Sequence, residues 1–375
     1  MPLDERARAS VTREGVLASL RLLMLAFLPI AAVLLYFVHS DPVWIFVTGA
    51  IAVAALADWV RRATEQVAAY AGPAIGGLVT VSFGSIAELL LAFFVLISSD
   101  AAVVRAQIVG SIIGTSLLGL GLAMFAGGIK FERQKFDRAG AGRRSSMFVL
   151  IMVALLLPAI FDLAAAEPGR HHASPIGNEG LSLGISVVLL LLYAGGLIYT
   201  LVTRRDVFSS EKEGAAGGTN WSLTQALVVL VGATAAIAFG AEMVAGALQA
   251  TAQSLGLPLL FLGVVPLALI GTSSDLLAAV TFGRQDRMSL VMSICVGSAI
   301  QVALVIAPLL VLASWAIGRP MTLVFSNPLD LFAIAGTVFI VNAIASDGET
   351  TWFEGLLLIG VYVLLALAFF FMGST

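Results

Sequence analysis

The sequence predicts an all-α integral membrane protein of eleven transmembrane helices, one leading helix followed by two inverted five-helix repeats. Three observations carry that prediction. Of the 375 residues, 59% are hydrophobic and 11% charged, too little polar surface to cover a soluble globule of this size. Eleven apolar segments are long enough to cross a hydrocarbon core of about 30 Å. A glycine followed four residues later by an acid occurs twice, in Gly84-Ser-Ile-Ala-Glu88 and Gly271-Thr-Ser-Ser-Asp275, each midway along an apolar segment and 187 positions apart.

In order, the segments run roughly over 22–38, 43–60, 73–98, 101–126, 146–166, 180–203, 221–250, 257–283, 288–315, 328–346 and 353–373. The first follows Arg6, Arg8, Arg13 and Arg21 and continues past signal-peptide length with no small-residue cleavage pattern, so it reads as a retained span. The second and seventh are prolonged by partly polar stretches, 61–70 and 249–255, expected to be helix ends leaving the membrane. This gives a tail and first helix over 1–42, a first repeat over 43–203, a polar, glycine-rich cytoplasmic linker over 204–220 and a second repeat over 221–375.

Orientation follows from lysine and arginine, which favour the cytoplasmic side. With the N-terminus cytoplasmic and the C-terminus outside, only Arg105, Arg170 and Arg319 of the 20 basic residues fall outside. The third span then runs outward and the eighth inward, so the two motif copies are inverted about an axis in the membrane plane. Sliding Gly84–Ile113 onto Gly271–Ile300 without a gap matches Leu89, Leu90, Ala92, Val104, Gly110, Ser111 and Ile113 with identical residues.

An ionised carboxylate near the bilayer centre costs roughly 3 kcal/mol. No lysine or arginine lies within the third or eighth span, so Glu88 and Asp275 are expected to be neutralised by protons, by a cation, or by each in turn. Two acids match the charge of one divalent ion, and calcium takes six to eight oxygens at about 2.4 Å. Ser85, Thr272, Ser273 and Ser274 supply hydroxyls, and Gly84 and Gly271 are expected to loosen their helices so that main-chain carbonyls turn toward the ion. Burial and like charge both favour the protonated acid. Protons and cation therefore compete for one site, and that competition is antiport.

Accessory positions surround this pair. Glu242, deep in the apolar seventh span, and Glu65, in the second, are candidates for a cation or proton pathway. A local ion pair with Arg61 is the competing reading for Glu65. Ser111, Ser298 and Gln301, on the helix after each motif, are candidate supporting oxygens, with close packing of small residues as the plain alternative. Asp58 and Asp162 read as helix-end residues, His171 and His172 as a solvated loop, and Asp347, Glu349 and Glu354 as an acidic inner turn with no basic residue.

Other classes fit less well. The single Cys295 excludes a disulfide framework, and no basic block with interleaved aromatics points to nucleic acid. An intramembrane protease would need partnered aspartates or a serine with a histidine, whereas His39, His171 and His172 lie outside the spans. Mid-helix acids in inverted copies suit an occluded site better than an open channel. No cofactor and no enzymatic activity are expected; the lipid bilayer is the expected surroundings.

These motifs resemble the calcium/proton exchangers of the cation/calcium antiporter superfamily, over spans two to eleven. The resemblance rests on Ala63-Thr-Glu65, Gly72-Pro73 with Gly76-Gly77, Phe83-Gly84 through Glu88, Gly110-Ser111, Ala241-Glu242, Gly271 through Asp275, Gly297-Ser298-Ala299-Ile300-Gln301, and Asp347-Gly348 with Trp352, Glu354 and Gly355. It implies two inverted five-helix repeats after an extra helix, and export of Ca2+ against H+, both as transported substrates. By it Glu88 and Asp275 are the central ligands, and Glu65 and Glu242 the accessory acids. The sequence departs from the family's Gly-Asn-Ala-x-Glu: Ser85 and Thr272 replace the asparagines, and Asp275 the second glutamate. Gly271-Thr-Ser is closer to the sodium/calcium exchanger branch, so sodium/calcium exchange and monovalent cation/proton exchange stay open as alternatives. Composition points to a bacterial inner membrane.

Overall fold

The computed structural model describes residues 26–35, 41–165, 175–203, 221–325 and 327–372. In chain order the helices are α1 (Phe27–Val33), α2 (Pro42–Gly84), α3 (Ile86–Ser98), α4 (Ala101–Ile113), α5 (Leu120–Gly128), α6 (Arg138–Ala165), α7 (Pro175–Thr203), α8 (Leu223–Leu255), α9 (Leu259–Leu262), α10 (Ala268–Gly283), α11 (Met288–Gln301), α12 (Ala307–Ala316), α13 (Pro328–Asp347) and α14 (Trp352–Met372). π-helical turns over Gly114–Gly119, Gly263–Leu267 and Val302–Ile306 join α4 to α5, α9 to α10 and α11 to α12. Among the described residues, nine helical spans are long and apolar enough to cross a membrane, each on one of the expected segments.

The first and third expected segments take another form. Of the first, α1 is described; the linker 204–220, His39, His171 and His172 lie outside the described residues. The third is not one helix. Ser85, with φ −109° and ψ 22°, interrupts the chain between α2 and α3. A Cβ on Gly76 would stand 2.5 Å from the carbonyl oxygen of Ala68, although eight residues of straight helix extend about 12 Å. The chain of α2 therefore doubles back near Gly72-Pro73, where proline withholds a backbone donor.

Helix starts follow cap chemistry. Asp41 accepts from the Val43 amide at 3.0 Å ahead of Pro42, and Asp100 from the Ala102 amide at 2.9 Å. Ser222 and Gln225 cap reciprocally at 3.2 and 3.0 Å. Gly348, with φ 79°, closes α13 in a conformation that favours glycine.

The spans Ala101–Gly128 and Met288–Ala316 form the centre, 83% and 72% buried in their most apolar windows, against 17% for Asn178–Tyr199. Their first residues are 187 positions apart, the spacing of the glycine-acid motif, and each carries a π turn past its middle. The outer helices expose Leu150, Leu163, Val231 and Phe339, the chemistry of a lipid-facing surface. Helices touch backbone to backbone through small residues: Gly110 lies against the Val264 carbonyl, and a Cβ on Gly355 would be 2.7 Å from the Gly121 oxygen.

One end of the molecule is tied by a two-stranded ladder, β1 (Gln134–Lys135) antiparallel to β2 (Glu349–Thr350). The Gln134 amide nitrogen donates to the Gly283 oxygen at 2.9 Å. The acidic turn has no basic residue of its own, but Arg133 meets Glu349 at 3.2 Å and Arg138, at the start of α6, packs on Gly348. Asp162, expected as a helix-end residue, accepts from Asn178 at 2.7 Å.

Candidate metal centre

The interruption at Ser85 puts Glu88 in the first turn of α3, with its carboxylate at the positive end of the helix dipole. Glu88 is 3% exposed, and its Oε1 has no hydrogen-bond partner among the described residues. Against it lies α10: a Cβ on Gly271 would stand 3.3 Å from Cα, Cβ and Cγ of Glu88. The glycine of the second motif is thus the surface on which the acid of the first rests. Asp275, one turn farther along α10 and partly buried, is near enough to Glu88 for their charges to interact. The two sequence-predicted acids come together.

Each acid faces the serine of the helix that follows it, Ser111 for Glu88 and Ser298 for Asp275. Ser111 and Ser298 are buried, 0% and 7% exposed, and among the described residues their hydroxyls have no partner other than these acids. Buried polar atoms without partners are uncommon and call for a ligand, an ion or water. Ser85 is buried, and the Thr272 hydroxyl donates to the Ala268 oxygen at 2.8 Å, keeping lone pairs free to accept. Loosening of both helices at the motif glycine is only half met. The chain breaks after Gly84, whereas Gly271 lies inside continuous α10 and the irregular turn falls earlier, at Gly263–Leu267. Gln301, partly buried, closes α11 immediately before its π turn.

No lysine or arginine lies within the segments that carry the two acids; the cation whose charge reaches Asp275, Arg61, belongs to another helix. It stands on α2 against Asp58 at 3.0 Å and against Glu65, while Arg62 holds the other Asp58 oxygen at 2.8 Å. Arg61 also lies within electrostatic reach of Asp275. Glu65, 52% exposed, follows the ion-pair reading. Glu242 is on the exposed side of α8 between buried Ala241 and Met243 and makes no hydrogen bond or ion pair among the described residues, so it is not buried as expected. Gln107, one turn before Ser111 on α4, is a residue the sequence reading passed over. It is 1% exposed and both its amide atoms lack partners; the signal was a lone glutamine in an apolar span. Among the described residues no three His, Cys, Asp or Glu side chains gather as a metal cluster. An ion here would depend on two carboxylates completed by hydroxyl and main-chain oxygens.

Comparison with known proteins bears on the chain as a whole. The family model for sodium/calcium exchanger protein matches residues 41–202 and 225–371. A Ca(2+)/H(+) antiporter of Aphanothece halophytica is 36% identical over 365 residues, 93% of this chain and 95% of that protein. The Ca(2+)/H(+) antiporter ChaA of Bacillus subtilis is 34% identical, covering 88% of this chain and 93% of its own length. The solved structure of native YfkE matches with a TM-score of 0.78 at 30% identity, over 93% of this chain and 98% of that one. The H+/Ca2+ exchanger CAX shares the fold, with a TM-score of 0.66 at 16% identity over 95% of this chain and 92% of that one. Matched along nearly its whole length, the chain belongs to the sodium/calcium exchanger family, and its resemblance to the calcium/proton exchangers holds.

Proposed function

We propose that the protein is a secondary active antiporter that exchanges Ca2+ for H+ by alternating access at the Glu88 and Asp275 pair. The observation that carries this reading is the contact of Glu88 with Gly271 beside Asp275, one acid from each motif copy, flanked by the buried serines Ser111 and Ser298. Together the acids match the charge of one calcium ion, and carbonyls at Gly84 and Gly271 with the oxygens of Ser85 and Thr272 fill its shell. Ser111, Ser298 and Gln301 orient the carboxylates from behind. When the ion leaves, the same oxygens take protons. Glu65 and Glu242 lie outside this shell; any part they take is in the approach to it.

The architecture in this reading is eleven spans, with 43–203 and 221–375 as inverted repeats joined by a cytoplasmic linker. The shared 187-residue spacing of the motifs and of the two central spans supports it. Relatives from bacteria named Ca(2+)/H(+) antiporter support calcium and protons as cargo, and the side on which the basic residues fall supports a cytoplasmic N-terminus in an inner membrane. One observation favours a second reading, sodium/calcium exchange: the Gly271-Thr-Ser sequence.

Reconstitution into proteoliposomes decides between them. A pH gradient alone should drive 45Ca uptake and a sodium gradient alone should not, and Glu88→Gln or Asp275→Asn should lower uptake at least about a hundredfold. Uptake driven by sodium only, or near-normal uptake by either amide variant, would overturn the assignment.

A further inference from the structure

We infer that Gln134 is a positioning residue for the ion site: from the loop after α5 it fixes the ends of the two helices that serve Asp275, and so sets where that carboxylate stands. The inference rests on the reading of Glu88 and Asp275 as the ion site. Gln134 is fully buried, and its Nε2 donates twice, to the Gly283 oxygen at 2.9 Å and to Asp286 Oδ1 at 3.1 Å. Both partners only accept, which fixes the orientation of the amide. Gly283 is the last residue of α10, and Asp286, with φ 59°, lies in the turn that leads from it into α11. Just past Gln134, the Asp137 amide donates to Ser289 Oγ at 3.0 Å, in the first turn of α11. One short segment thus holds the end of the helix that carries Asp275 and the start of the helix that carries Ser298. The main chain of the same segment is paired with β2, so it is anchored from its other side as well.

Stability alone accounts poorly for a glutamine at this place. Its Oε1 is buried with no partner among the described residues, a cost that an apolar side chain of the same size would not carry. Room for that oxygen exists only because residue 127 is glycine: a Cβ there would strike both Gln134 Oε1 and the Gly283 oxygen. What the amide supplies is direction, a single position of α10 against α5. Asp275 is eight residues before Gly283, about 12 Å along a straight helix. Because α10 runs unbroken between them, a shift at Gly283 reaches the carboxylate as a rigid movement. The arrangement occurs twice. The segment after α12 follows Met288–Ala316 as the segment after α5 follows Ala101–Gly128, and from it Arg319 donates to the Ile97 oxygen near the end of α3, the helix of Glu88. Each loop holds the acid-bearing helix of the other half. Arg319 is exposed and Gln134 is not, so the Gln134 hold is the firmer and Asp275 the more tightly set of the two acids.

Equilibrium binding of 45Ca to the purified full-length protein at fixed pH reads both the dissociation constant and the number of sites per chain. Gln134→Met keeps the volume and removes both donated bonds; it should raise the dissociation constant about tenfold with the number of sites unchanged. Gln134→Asn keeps an amide but draws it back from Gly283, and should raise the constant several-fold. Gly127→Ala leaves Gln134 in place and pushes on its amide from the opposite side, so it should weaken binding too. A purely structural glutamine would instead lower the folded yield and the number of sites, while the folded fraction bound calcium like wild type. That outcome in Gln134→Met, or unchanged or tighter binding by Gly127→Ala, overturns the inference. If Gln134→Met does not fold, a wild-type dissociation constant in Gln134→Asn is sufficient to overturn it. A wild-type protein that binds no calcium removes the calcium reading and this inference together, whereas wild type and Gln134→Met binding calcium equally well removes this inference alone.

Discussion

Glu88 and Asp275 do the same work from unlike settings. Glu88 is buried in the first turn of α3 against a glycine, while Asp275 stands mid-helix and partly buried. Because each acid must release its proton before an ion binds, calcium binding expels protons. Affinity therefore rises with pH, with a limiting slope of about two protons per ion in wild type and about one in Glu88→Gln. Binding isotherms at stepped pH measure both slopes; a slope unaltered in the variant would mean that Glu88 does not exchange its proton for the ion. Both acids were legible in the sequence because an acid in an apolar span demands a reason. Arg61 was legible as the partner of Glu65 one turn away, but not as a partner of Asp58, which the sequence let pass as a helix-end residue.

At the level of the element, the apolar runs show where helices cross but not how they bend. Hydropathy says nothing about the pause at Ser85, because a serine next to a glycine fits helix and turn alike. The π turns at Gly114–Gly119 and Val302–Ile306 carry no pattern of their own either. The exposure of Glu242 was illegible for a related reason: α8 is apolar on most of its circumference, so its sequence does not tell which side packs against protein. The glycine contacts, by contrast, are specific enough to test. Gly121 and Gly355 bring α5 and α14 together without side chains between them. Gly355→Val should cost about 1–3 kcal/mol through overpacking, read as a lower unfolding temperature in detergent, and a variant as stable as wild type would show that the helices separate freely.

Across the whole molecule, the two copies are packed unequally. Gly110 is pressed on the Val264 carbonyl, whereas Gly297, its counterpart at the 187-residue spacing, has nothing within 4 Å of where a Cβ would be. If the halves exchange their packing during transport, as alternating access requires, then Gly110→Val should disrupt the described arrangement and lower the folded yield. Gly297→Val should fold normally yet slow 45Ca uptake about tenfold, by obstructing the opposite arrangement. Full activity in Gly297→Val would mean that this contact never forms.

The pause at Ser85 reaches further than the backbone it interrupts. Glu88 hangs on a thirteen-residue rod with a joint at its root, and Asp275 is set in the shaft of a helix that passes through unbroken. The first is a door leaf and the second its post. When the halves exchange their packing, Glu88 can turn about its joint while Asp275 moves only with its whole helix, so the first half has the freer hold on an ion that both halves share.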